Sequence, residues 1–90
     1  MAHCKNEEIE DLKPLLEEIL SWEKIQEKGF GKLYLKGMGF LHFHSKDGRR
    51  WADVRDGEQW GSEIEVPFNI TKTQINKFLK EVRKRYENTF

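Results

Sequence analysis

His42-x-His44 and Asp53 are the residues of this chain whose chemical types and spacing could make one site. Alternate residues of a strand project to the same side, so both imidazoles can reach one ion. Two histidines and one carboxylate with a position left open suit zinc or iron. The same groups also have a metal-free chemistry. A carboxylate fixes an imidazole's tautomer and raises its basicity, so His42 oriented by Asp53 reads as a general base. No serine or cysteine nucleophile stands near them. Ser45 falls on the opposite face by alternation, and Cys4, close to the amino terminus, reads as inert. Gly29-Phe30-Gly31 and Gly37-Met38-Gly39 lack the strand-to-helix setting of a phosphate loop. His3 reads as an adventitious copper or nickel ligand and is assigned no function.

A turn positions these residues. Asp47-Gly48 lies between two alternating runs, 39–44 and 50–54. Asp-Gly in that setting signals a type I′ hairpin, whose two central residues need positive φ. The register follows: Lys46 faces Arg49, His44 faces Trp51 and His42 faces Asp53. Leu41 and Phe43 then share the other face with Ala52 and Val54. Upstream, residues 30–36 alternate as a strand. A three-residue loop at Gly37-Met38-Gly39 would pair Lys36 with Phe40, Leu35 with Leu41, Tyr34 with His42 and Leu33 with Phe43. Both turns then give one apolar face, and that consistency supports each of them.

The remaining elements follow from periodicity and caps. Residues 7–20 carry a helical stripe of Ile9, Leu12, Leu16 and Ile19, with Asn6 as its N-cap. Pro14 conflicts with a helix interior and favours a start near Asp11 with Pro14 in the first turn. Residues 21–28 read as a connector, and a short loop between Asp56-Gly57 and Gly61-Ser62 holds Trp60. Glu63 to Val66 alternates as a fourth strand, which Pro67 ends. Thr71 and Gln74 form a capping box, with Ile70 and Ile75 as its hydrophobic staple, ahead of a helix lined by Ile75, Phe78, Leu79, Val82 and Tyr86. The expected architecture is one α+β domain over residues 1–90. It has a four-stranded antiparallel meander, in the order α-β-β-β-β-α, with the N- and C-terminal helices packed on one face.

The open face would then carry Phe30, Lys32, Tyr34, Lys36, Phe40, His42, His44, Trp51, Asp53 and Arg55, with Glu63 or Glu65 near if the fourth strand is adjacent. That is unusually aromatic for a surface facing only water. One reading is plain cross-strand pairing, closed by a homodimer or by the Trp60 loop. Aromatics interleaved with Lys32, Lys36 and Arg55 also match the layout of single-strand nucleic-acid platforms. Against that, 16 basic and 16 acidic residues cancel, so no whole-chain basic field exists. The charges are segregated: Glu7, Glu8, Glu10, Asp11, Glu17 and Glu18 at the start, and Lys77, Lys80, Arg83, Lys84 and Arg85 at the end, read as helix ends and solvated faces, with a dipolar partner surface as the alternative. With one cysteine no internal disulfide forms, and no apolar run suits a membrane span or a signal core. A cytoplasmic setting is expected.

The order of these motifs resembles a known group. Trp22 after a helix, Phe30-Gly31 and a Leu-Tyr-Leu strand lead to His42-x-His44, then Ala52-Asp53-Val54, then a closing helix ending Arg85-Tyr86-Glu87. This resembles the small uncharacterised "luciferase family", or luciferase-like domain, over the larger part of the chain. The resemblance implies a small α+β domain, carries over His42, His44 and Asp53, and implies neither light emission nor an established activity. Members of that group usually insert a helix and further histidines after the Asp strand, where this chain has only the short loop to Trp60. A second, shorter likeness, in Asp47-Gly48-Arg49-Arg50-Trp51, is to the YjbR-type α+β fold, whose members are proposed to bind DNA. The function expected is a non-enzymatic binding or interaction module, working through the sheet face on a protein partner or a second copy, with no cofactor. The alternative is a metal-binding or hydrolytic site at His42, His44 and Asp53; single-stranded nucleic acid is a less favoured ligand.

Overall fold

The computed structural model describes residues 4–89, so His3 lies outside the described residues. Two short 3₁₀ turns, Asn6–Glu8 and Glu10–Leu12, lead into helix α1 (Lys13–Leu20), with Pro14 in its first turn where no backbone donor is missed. Lys5, not Asn6, caps the first turn, because its own amide donates to Glu8 Oε1 at 2.9 Å. That bond, followed by the Ser45 hydroxyl, holds the Glu8 carboxyl below the usual range. Six strands follow: β1 (Ile25–Glu27), β2 (Leu33–Leu35), β3 (Met38–Lys46), β4 (Arg49–Asp56), β5 (Gln59–Trp60) and β6 (Ile64–Glu65). Helix α2 (Lys72–Thr89) closes the chain.

The class expected from the sequence holds, and the sheet is larger than four strands. All pairings are antiparallel in the order β1-β2-β3-β4, and the outer edge of β4 pairs β5 at one end and β6 at the other. The connector assigned to residues 21–28 contains β1, whose Ile25 is buried opposite Leu35. Three residues are too few to show a period, so no alternation announced this strand.

Asp47 and Gly48 have φ values of 52° and 78°, and the β3–β4 register is the one expected, with His42 opposite Asp53 and His44 opposite Trp51. The β2–β3 register is not. Lys36 and Gly37 make a second two-residue turn with both φ positive, 53° and 83°, so Leu35 pairs Met38 and Tyr34 pairs Gly39. Leu33 then pairs Leu41, which leaves Phe40 as the extra residue of a bulge. The bulge turns both Phe40 and Leu41 into the core, each fully buried. Three expectations are thereby corrected. Phe40 is a core residue that meets Tyr86 edge-on at 6.2 Å. Lys36 sits in a turn and not on a strand face. Tyr34 faces Gly39 and not His42.

Both helices join one core on a single side of the sheet. Leu12, Leu15, Leu16 and Ile19 meet Leu33, Leu35, Leu41, Phe43, Ala52 and Val54, and α2 adds Phe78, Val82 and Tyr86. The capping box is present: the Thr71 amide donates to Gln74 Oε1 at 2.9 Å and the Gln74 amide to Thr71 Oγ1 at 3.2 Å. Two arginines are buried in this half of the molecule. Arg50 is in phase with Ala52 and Val54, and its guanidinium spends every donor. Nε reaches Val66 O, Nη1 reaches Glu8 O and Asp11 Oδ1, and Nη2 reaches Asp11 Oδ2 and Pro67 O, at 2.6–3.0 Å. Arg85, expected on a solvated basic face, is 6 % exposed. It donates to Val54 O, Ser62 O and Glu81, because it lies on the same stripe of α2 as Val82 and Phe78.

Candidate functional site

The side of the sheet away from the helices has no second layer among the described residues, and its side chains cover one another. His42 and His44 project from β3 and Trp51, Asp53 and Arg55 from β4, all half-buried. These five, expected on this face, are on it. The rings form a row. Trp60 meets His42 edge-on at 4.9 Å, His42 meets His44 edge-on at 4.5 Å, and His44 stacks on Trp51 at 5.5 Å. A guanidinium covers each end, with Arg55 over Trp60 at 4.9 Å and Arg49 over Trp51 at 4.4 Å.

Asp53 touches this row at His44. Its Oδ2 is 2.8 Å from Nε2 of His44, with the side chains 13 % and 33 % exposed for His44 and Asp53 respectively. The residue directly across from Asp53 is His42, yet the close partner is the diagonal His44. Asp53, expected to orient His42 across the ladder, thus also stands in direct contact with His44. Donor atoms of His42, His44 and Asp53 all lie within 4.8 Å of one another. Glu63 and Glu65 do not join them. Both pair with Arg49 at the far end of the face, which holds its guanidinium above the ordinary range, and Glu65 stands across from Trp51.

Trp60 is the site residue that sequence reasoning left in a loop. Gly57 and Glu58 close a tight hairpin from β4 to β5, so Trp60 pairs Arg55 and shares its face. The signal was Gly57 itself, a glycine at positive φ in the first central position of a two-residue hairpin turn. The indole then lies across β3, where a Cβ on Gly39 would come within 3.3 Å of it. Arg55 anchors the arrangement by donating from Nε to Gly39 O at 2.6 Å. Between Trp60 and β2 is a pocket of about 270 Å³, lined by Lys32, Tyr34, Gly39, Leu41, His42 and Trp60. Lys32 and Tyr34 thus join the face through this pocket. Phe30 does not, since it packs against the core beside Cys4 and Ile9.

The candidate nucleophiles are placed elsewhere. Ser45 Oγ donates to Glu8 Oε2 at 3.0 Å, and burial pushes the Cys4 thiol up, away from the thiolate. The architecture is that of a small α+β protein with helices on one side of an antiparallel sheet and a histidine-bearing aromatic row on the other. No protein-family model, curated protein or solved structure matches this chain.

Proposed function

We propose that this chain is a non-enzymatic binding module whose partner is a protein that inserts one apolar side chain between Trp60 and Tyr34. The pocket beside Trp60 carries this reading. At about 270 Å³ it is smaller than the roughly 300–1,000 Å³ of sites that enclose a drug-sized ligand, and it suits one anchoring side chain. Trp60 is 42 % exposed, so the rim offers apolar contact, and tryptophan, tyrosine and arginine are the residues that most often dominate binding at interfaces. Nucleic acid is disfavoured because Arg49 is already neutralised by Glu63 and Glu65. The absence of an internal disulfide fits a cytoplasmic setting, and no helix of the described residues is long and apolar enough to cross a membrane.

Display of a random peptide library against the protein, tethered by its terminus, tests this. The expected result is an enriched family of peptides sharing one large apolar position, whose binding Trp60→Ala weakens by more than about tenfold, the scale of a central anchor. Peptides without a common anchor, or a consensus indifferent to Trp60→Ala and Tyr34→Ala, would overturn it. A dimer in solution that Trp60→Ala dissociates would assign the pocket to a second copy instead.

A further inference from the structure

The geometry points to a divalent metal site, of the zinc(II) class, formed by His42, His44 and Asp53 and independent of the Trp60 anchor. Three observations converge. The ligand set is two imidazoles and one carboxylate, the donor types of three-ligand zinc sites that keep one position open. The donors come from alternate cross-strand pairs of the two longest strands, β3 and β4, with the register fixed by the Asp47-Gly48 turn. Their atoms already lie within 4.8 Å of one another.

The distances say what binding requires. Zinc bonds of about 2.0–2.2 Å put neighbouring tetrahedral donors roughly 3.4 Å apart. His44 Nε2 and Asp53 Oδ2, at 2.8 Å, must separate slightly, while His42 must close by side-chain rotation. Both movements are rotamer adjustments that leave the backbone in place. The ion would take the place of the close contact between His44 Nε2 and Asp53 Oδ2.

Charge favours the cation. Two neutral imidazoles and one carboxylate sum to a single negative charge, and the two arginines on this face are committed elsewhere. Arg49 is paired with Glu63 and Glu65, and Arg55 is bonded to Gly39 O and Glu58 O. The rings of Trp51 and Trp60 flank the histidines. His42 also lines the pocket beside Trp60, which offers space for water next to the ligand set.

The test uses tag-free protein carrying His3→Ala, which removes the terminal histidine as a competing ligand. Zinc(II) titrated by calorimetry is expected to saturate at one equivalent, and cobalt(II) to give the intense visible absorption of a four-coordinate ion. His42→Gln, His44→Gln and Asp53→Asn should each weaken zinc binding by at least ~100-fold, more than the loss of an outer-shell partner, with the far-ultraviolet circular dichroism unchanged. Trp60→Ala removes no ligand and should keep one equivalent bound, which separates this site from the anchor pocket. No saturable equivalent of zinc, or affinity unchanged in the His42→Gln/His44→Gln double variant, would overturn the inference.

Discussion

Arg50 and Asp11 form an ion pair of unequal halves. The Arg50 side chain is fully buried, while that of Asp11 is 44 % exposed. The arginine also satisfies three backbone carbonyls, of Glu8, Val66 and Pro67. A buried acceptor without a donor costs about 1–3 kcal/mol, whereas an exposed partner of an ion pair is screened and contributes about 1 kcal/mol or less. Arg50→Met should therefore lower stability by roughly 3–5 kcal/mol, and Asp11→Asn by only about 1 kcal/mol. Urea denaturation of the two variants decides the matter. Equal losses would mean that the ion pair, and not the carbonyl cradle, does the holding. The sequence carried a sign of this residue: Arg50 sits in phase with Ala52 and Val54, and a charge in phase with a core face is either an error of register or a buried clamp.

At the scale of elements, what could be read from the chain depended on how many signals converged. The β3–β4 hairpin had an Asp-Gly dipeptide and alternation on both sides, and its register was legible to the residue. The β2–β3 connection had only glycines to mark it, and the true turn places Lys36 at φ 53°, a position where lysine is an unexpected choice. The register was misread by two residues at Leu33 and by three at Leu35, and the inserted Phe40 absorbs the odd residue, so the flanking side chains keep their faces. That is why the inward set of Leu33, Leu35, Leu41 and Phe43 was still legible, while Phe40, the inserted residue itself, was not. In the site, His42, His44 and Asp53 were legible because one turn sorted them. Trp60 was not, because β5 is two residues long. The Lys36-Gly37 turn also offers a stability test. Asn is favoured where Lys36 stands, since it tolerates the left-handed region, so Lys36→Asn should raise stability by about 0.5–1 kcal/mol and the thermal midpoint by a few degrees. A lower midpoint would show that the turn is not the type assigned to it.

Across the whole molecule, β4 is the member to which the irregular segments are tied. Residues 57–67 hold only two short strands, and their attachment to β4 depends on side chains as much as on the ladder. Val54 O accepts both the Gly61 amide at 2.9 Å and Arg85 Nη1 at 3.1 Å, so helix α2, strand β4 and the β5–β6 segment meet at one atom. At the other end, the Val66 amide donates to Arg50 O at 2.9 Å, beside the Arg50 guanidinium on Val66 O. Two buried arginines, 35 positions apart in sequence, thus pin the two ends of one segment to one strand. If they act as separate clamps, releasing one should open its own end first. Arg85→Met would then lose about 2 kcal/mol of global stability, and the Gly61 amide would lose at least ~tenfold more hydrogen-exchange protection than the Val66 amide. Gly61 packs directly against this guanidinium, where an added Cβ would fall 2.6 Å from Arg85 Nη1. Native-state hydrogen exchange read at those two amides is the measurement. Parallel loss at both, tracking the fall in global stability, would show that the segment opens only with the whole sheet, and the two clamps would have to be regarded as one.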